Sequence, residues 1–118
     1  MDRLEHKIYR KITRRRRIRA KIYGTTARPR LTVFISNRQI SAQIINDEKQ
    51  STIAAVTTVA NKSLPANLTQ KAAWVGGEIA KKAKSAKIKR VVLDRNGRLY
   101  HGRIKVLADE ARKSGLEL

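Results

Sequence analysis

The sequence predicts a mixed α/β fold: a three-strand β-meander, a crossover helix, a fourth strand and a C-terminal helix, preceded by a basic arm. Apolar residues alternate with a period of two from Arg30 onward, which is typical of half-buried strands. They recur at helical spacing over residues 67–84 and 104–111. Residues 1–30 hold 12 Lys or Arg and only 2 acidic residues, so cationic charge is concentrated ahead of the patterned region.

A basic arm and a body divide the chain. The length of 118 residues favours one domain, so we assign residues 1–27 to the arm and residues 28–118 to a single α/β body. Apolar residues recur every four positions in the arm, as in a helix, but four consecutive arginines at 14–17 repel one another. We therefore expect the arm to be helical mainly where phosphates neutralise it. The dipeptide Arg28-Pro29 stops the helical pattern.

Three strands open the body. Residues 31–35 alternate between two faces, residues 36–38 form a plausible tight turn, and residues 40–44 alternate again. This pattern predicts a β-hairpin. A third β-rich stretch, residues 52–58, follows another polar turn and completes the meander.

Helices and a fourth strand complete the body. Asn67 or Thr69 caps a helix that runs to about residue 84, and we interpret its adjacent glycines as a point of close approach to the sheet. Residues 88–93 read as a short buried strand, parallel to a neighbour because a crossover helix leads to it. Residues 104–111 predict an amphipathic helix, with Gly115 just past its end.

The composition indicates that the protein binds a polyanion. The formal net charge is +19, and a hydrophobic fraction of 41% indicates a folded body beside that charge. There is no Cys and the two His residues lie far apart, so we expect no metal and no cofactor. The longest aliphatic run, residues 53–56, is too short to cross a bilayer, and we expect a soluble, cytoplasmic protein. A transit peptide would lack the acidic residues Asp2 and Glu5.

The arm is the strongest functional signal. Guanidinium groups pair with phosphate oxygens in bidentate geometry, and binding releases counterions. Nucleic acid is favoured over a merely solvated charge run by the density of arginine, and over a membrane by the interruption of the apolar stripes. The cations expected to contact nucleic acid are Arg10, Arg14, Arg15, Arg16, Arg17, Arg19 and Lys21.

A second candidate site is the segment between the fourth strand and the last helix. It offers arginines for phosphates and rings on which an unpaired base could stack. Tyr100 could equally pack into the core, and His101 could be an exposed neighbour of the helix cap. Asp94 is more simply a partner of Arg95 or Arg98 than a catalytic acid. The residues expected to bind here are Arg95, Arg98, Tyr100, His101 and Arg103.

Several motifs, in matching order, resemble the bacterial-type large-subunit ribosomal protein family numbered eighteen. They are Arg28-Pro29-Arg30-Leu31-Thr32-Val33-Phe34, Ser36-Asn37 with Gln43 following, Asp94-Arg95, Tyr100-His101-Gly102-Arg103, Leu107-Ala108, Ala111-Arg112 and Gly115-Leu116. The sequence departs from the family at Ser41, where an aromatic residue is usual, and at Leu118, where Phe is typical.

The resemblance implies a structural role in the large ribosomal subunit. It implies a translational-machinery fold of ribonuclease H-like topology, binding of 5S rRNA, and anchoring of that RNA to the large-subunit rRNA in the central protuberance. Neighbouring 5S-associated ribosomal proteins are further implied partners, with no membrane and no small-molecule substrate. Beyond the arm, the implied RNA contacts are Arg28, Arg30, Ser36, Asn37, Arg38, Gln43, Tyr100, His101 and Arg103.

Two alternatives compete with this interpretation. A metal-dependent nuclease of related fold needs clustered carboxylates, and no predicted strand has an acid in its middle, so we do not expect an enzyme. A nucleic-acid chaperone acting through charge alone would bind any RNA equally, whereas the resemblance implies preference for one structured RNA.

Overall fold

The computed structural model describes residues 2–19, 22–59, 61, 63–64, 67–96 and 102–118, with residues 18 and 19 described by their backbone alone. Its elements in chain order are α1 (Arg3–Arg19), β1 (Arg30–Ile35), β2 (Ile40–Asn46), β3 (Ser51–Thr57), α2 (Leu68–Ser85), β4 (Val92–Asp94) and α3 (Arg103–Lys113). The predicted mixed α/β architecture is confirmed.

The described strands form a four-stranded sheet in the order β3-β2-β1-β4. The β1–β2 and β2–β3 pairs are antiparallel, as expected of a meander, and β4 pairs in parallel with β1. The prediction of a parallel fourth strand is therefore confirmed, but its predicted bounds were wrong. Residues 88–91 bond elsewhere: the Ile88 amide donates to the Ala83 carbonyl, and the Val91 amide donates to the Glu117 carbonyl.

The core lies between one face of the sheet and the helices α2 and α3. Alternate residues of β1 and β2, such as Leu31, Val33 and Ile44, are fully buried against helix residues that include Ile79 and Leu107. Burying each such side chain contributes about 1.5–3 kcal/mol. The opposite face of the sheet carries no helix other than α1 among the described elements, and it is called the open face below.

Capping residues define the two body helices. The Asn67 carboxamide oxygen accepts the Thr69 and Gln70 amides at 2.8 and 3.3 Å, which begins α2. Gly115 follows α3 with φ of 103°, a conformation that favours glycine, so its predicted capping role is confirmed.

The close approach predicted at the glycines of α2 is real, but its partner was wrong. A Cβ at Gly76 would clash with the Leu107 carbonyl oxygen of α3, whereas a Cβ at Gly77 would meet nothing within 4 Å. Gly76 therefore lets two helices pack backbone to backbone, and it does not serve contact with the sheet.

Candidate nucleic-acid interface

The helix α1 is densely cationic, with Lys or Arg at nine of its 17 residues. Asp2 begins it by accepting the Glu5 amide at 2.8 Å, and these two acids complement the positive end of the helix dipole. The arginines at 14–17 lie toward the opposite end, where the dipole favours cations. Local electrostatics thus oppose part of the like-charge repulsion.

The cations of α1 lie along one side in its first turns and project to several sides at residues 14–17. Arg3, Lys7, Arg10 and Arg14 follow one another at spacings of four, three and four, and line one groove along the helix. Successive residues at 14–17 project about 100° apart, because a helix has 3.6 residues per turn. A helix lying on a membrane keeps one face apolar along its length, whereas the run at 14–17 interrupts the apolar stripe of α1 and presents cations to phosphates on several sides.

Arg30 occupies the interior, although sequence reasoning expected it to contact RNA. It is 8% exposed. Its Nε and Nη2 donate to the two carboxylate oxygens of Asp47 at 3.0 and 3.1 Å, and its Nη1 donates to Asp94 at 2.8 Å. The Asp47 hydrogen bonds, with help from Asp94, raise the pKa of the Arg30 guanidinium despite its burial. Arg30 thus forms ion pairs with two carboxylates within the chain, and we remove it from the residues proposed to contact RNA.

The base of the arm is tied to the same corner of the body. The Gly24 amide donates to Asp47 at 2.7 Å, and the Gly24 carbonyl accepts the Asp47 amide at 2.9 Å. The Thr26 amide donates to Glu48 at 2.8 Å. Arg28 is exposed, and its Nε donates to the Val91 carbonyl at 3.2 Å. Because of these contacts, we propose that the boundary between the arm and the body lies at Gly24.

The tip of the β1–β2 hairpin presents Ser36, Asn37 and Arg38, all exposed. The Ser36 hydroxyl oxygen accepts the Gln39 amide at 3.1 Å and holds the turn closed. Lys71, a buried residue of α2, donates from Nζ to the Arg38 carbonyl at 2.6 Å. A rigid turn therefore displays these polar side chains.

The open face carries the remaining hairpin candidate. Gln43 stands opposite Thr32, and Ser41 stands opposite Phe34, so all four side chains share the face turned away from α2 and α3. Phe34 is 45% exposed. An aromatic ring thus lies beside Ser41, the position where the resembled family usually has one. Phe34 was not among the residues expected to contact RNA, although its position in the alternating strand pattern places it on this face.

The segment after β4 is anchored at its start. Asp94, fully buried, accepts the Asn96 amide at 3.0 Å as well as the Arg30 guanidinium. The Asn96 side-chain nitrogen donates to the Thr32 hydroxyl at 2.8 Å and to the Val33 carbonyl at 2.9 Å. Sequence reasoning considered only neighbouring arginines as partners of Asp94, because Arg30 lies 64 residues away.

Among the arginines of this segment, Arg95 is half-buried and Arg103 is exposed at the start of α3. Arg98, Tyr100 and His101 lie outside the described residues, as do Lys21 and the side chain of Arg19. The alternatives for Tyr100 and His101 therefore remain those that the sequence left open.

Neither a metal site nor a membrane span is found in the described parts of the chain. There, no group of three or more His, Cys, Asp or Glu side chains converges. Asp47 and Asp94 do come together, but both are ion-paired with the Arg30 guanidinium that lies between them. No described helix is long and apolar enough to cross a membrane.

Comparison with known proteins gives matches along nearly the whole chain. The family described as "Ribosomal L18 of archaea, bacteria, mitoch. and chloroplast" matches residues 5–118. The "Large ribosomal subunit protein uL18" of Lactobacillus acidophilus is 49% identical over 107 residues, which cover 91% of each chain. That of Bacteroides fragilis is 51% identical over 112 residues, covering 94% of this chain and 96% of the relative. That of Porphyromonas gingivalis is 54% identical over 101 residues, covering 86% and 88%.

Proposed function

We propose, from the premise that this chain belongs to the ribosomal L18 family, that it binds 5S rRNA and helps to anchor it to the large-subunit rRNA in the central protuberance. Membership makes the chain an RNA-binding structural constituent of the large ribosomal subunit, in the cytoplasmic ribosome, and not an enzyme. The particular RNA and its position in the subunit are our proposal, as is contact with neighbouring 5S-associated proteins.

The observation that carries the proposal is the distribution of cations around α1. A structured RNA offers phosphates from more than one strand to a helix lying between them, and guanidinium groups on several sides of α1 would each find a partner. Each phosphate neutralised releases counterions, which favours binding at moderate salt. Within α1, Glu5 carries the only carboxylate, so few acidic side chains compete with phosphates for these cations.

The body adds contacts that would fix the position of the protein along the RNA. We propose that the hairpin tip and the open face meet RNA beside the arm, because they present donors and acceptors on rigid backbone. Phosphate contacts position a protein, whereas polar and stacking contacts to bases select among RNAs. The proposed contacts are Arg10, Arg14, Arg15, Arg16, Arg17, Arg28, Ser36, Asn37, Arg38, Gln43, Arg95 and Arg103, with Arg19, Lys21, Arg98, Tyr100 and His101 from the sequence alone.

Competition binding tests the proposal. The full chain is mixed with labelled 5S rRNA and challenged with a structured RNA of equal length and unrelated sequence. We expect 5S rRNA to be retained at an excess of competitor, because contacts beyond phosphates discriminate between the two RNAs. Equal competition by both RNAs would indicate a chaperone that acts through charge alone.

Two double variants test whether α1 contacts the RNA phosphates. Changing Arg14 and Arg17 to Ala should reduce the slope of log affinity against log salt by about two phosphates. Changing Lys84 and Lys105 to Ala removes the same charge from exposed positions on α2 and α3, and should leave the slope near its original value. Equal effects of the two variants would show that only net charge matters.

A further inference from the structure

A cleft of about 380 Å³ lies between α1 and the open face of the sheet. Its walls include Lys11 and Arg15 from α1, Phe34 and Ser41 from the hairpin, and Asn96 from the segment after β4. This volume falls in the range of small-molecule sites, roughly 300–1,000 Å³. Three parts of the fold that are remote in sequence thus converge on one concave surface.

Two buried polar atoms on the walls of this cleft lack a hydrogen-bond partner in the described structure: the side-chain oxygen of Asn96 and the Nε of Arg15. Asn96 is only 4% exposed. Its amide orientation is fixed, because its nitrogen must face the Val33 carbonyl, which only accepts. The oxygen is therefore an obligatory acceptor. Native proteins rarely leave such atoms unpaired, so their presence in a cleft indicates a ligand.

We propose that the cleft takes a single unpaired RNA base. The Arg15 Nε–H would donate to a carbonyl or ring nitrogen of the base, and Asn96 would accept from an amino or imino N–H. Every nucleobase carries such a donor and acceptor side by side on its Watson–Crick edge. Phe34 provides the exposed ring on which the base stacks. This site deepens the proposed function, since it rests on RNA being the partner.

The unpaired acceptor requires a ligand group with a hydrogen to donate, which a base has and a phosphate diester lacks. A phosphate diester has no hydrogen to donate, so it would leave the Asn96 oxygen without a partner. Lys11, also on the cleft wall, would bind the phosphate of the same nucleotide. The site would then contact the RNA backbone through Lys11 and the base through Arg15 and Asn96. Ser41 matters through its small size, because a larger side chain opposite Phe34 would occupy the same space.

Chemical probing of assembled subunits tests the site. Large subunits are assembled with the unaltered chain, with Phe34→Leu, with Arg15→Lys, or with Arg90→Lys as an exposed control outside the cleft. Dimethyl sulfate and a carbodiimide then report the Watson–Crick edges of all four bases in every rRNA. Arg15→Lys keeps the charge but removes the Nε–H, and Phe34→Leu keeps an apolar side chain but removes the ring.

We expect one unpaired base to be protected by the unaltered chain and by Arg90→Lys, and to become exposed in both cleft variants. Affinity of the isolated chain for the RNA that carries this base should fall roughly 5- to 150-fold in Phe34→Leu, the range for one stacked base, with an unchanged salt slope. No change at any base in any rRNA would overturn the proposal, and is also the outcome if a protein side chain fills the cleft. If the base lies in the large-subunit rRNA and 5S rRNA reactivity is the same with and without the chain, the cleft stands and the 5S proposal fails.

Discussion

Replacing Arg30 by Met should destabilise the body severely, because it removes the cation between two carboxylates. Methionine keeps most of the packing of the arginine stem but none of its donors. Asp94 is fully buried, so its carboxylate would lose a partner at 2.8 Å with no access to water. Asp47 is 21% exposed in its side chain and regains some hydration, so it contributes the smaller part.

The expected loss is about 3–5 kcal/mol of unfolding free energy, the usual effect of removing one partner of a buried ion pair. Urea unfolding followed by circular dichroism measures it. With a slope of about 1–3 kcal/mol per M, the midpoint should fall by at least about 1 M. Because the pKa of Arg30 is raised in the folded state, its stabilisation is present below that value and is lost only as pH rises through it. The difference between the two proteins should therefore not change from neutral to mildly alkaline pH on account of Arg30.

Arg90→Met is the matched control. Arg90 pairs with Glu117 at 3.1 Å, but both side chains are about two-thirds exposed, at 66% and 65%. Exposed pairs contribute roughly 0–1 kcal/mol, so this variant should unfold near the original midpoint. Similar losses in the two variants, or a loss below 1 kcal/mol in Arg30→Met, would refute the assignment of a stabilising role to the buried triad.

Four further predictions concern the arm, the helix pair and the last candidate segment. Removal of residues 1–22 should leave a folded body and flatten the salt dependence of RNA binding, whereas an unchanged slope would exclude the arm as the main phosphate contact. Circular dichroism should also show more helix when RNA neutralises the arm, and equal helix content would count against this. Gly76→Ala should destabilise by about 1–3 kcal/mol through the clash with α3, whereas Gly77→Ala should stabilise by up to about 1 kcal/mol; equal effects in thermal unfolding would contradict the packing argument. Arg103→Ala should lower the salt slope by about one phosphate and Tyr100→Ala should not, and a lower melting temperature with normal binding in Tyr100→Ala would assign that ring to the core.

Periodicity predicted most of the elements because alternating burial is a local signal. It placed the ends of β1 and β3 to within about one residue, and those of β2 and both body helices to within about two, the uncertainty expected of element ends. It failed at β4, where the apolar residues Ile88 and Val91 suggested that the strand begins before Val92. Their backbone is bonded instead to the end of α2 and to residue 117. Such pairing depends on residues distant in sequence, which a short stretch of sequence read by itself does not include.

The candidate site could be predicted from the sequence only where a high local density of cations indicates binding to phosphates. A run of arginines at 14–17 indicates phosphate binding without knowledge of the fold. Arg30 looks like another member of the same cationic region, and only the arrival of Asp47 and Asp94 at its side shows that it is structural. The cleft was unpredictable for a related reason: an unpaired atom is defined by the neighbours that fail to reach it, and those neighbours come from the whole fold.

The pairing of β1 with β4 also has a kinetic consequence. Val92 of the edge strand β4 lies opposite Arg30 of β1, so 62 residues separate these paired positions. During synthesis the meander and α2 emerge first, while the edge of β1, the Gly76 surface of α2 and one carboxylate partner of Arg30 all wait for later residues. We expect a nascent chain arrested before β4 to remain sensitive to protease, and to become resistant in one step once α3 has been translated. Early protection would show instead that the meander folds alone. Until that step the edge of β1 that later pairs with β4 stays exposed, and an exposed strand edge favours aggregation with other chains.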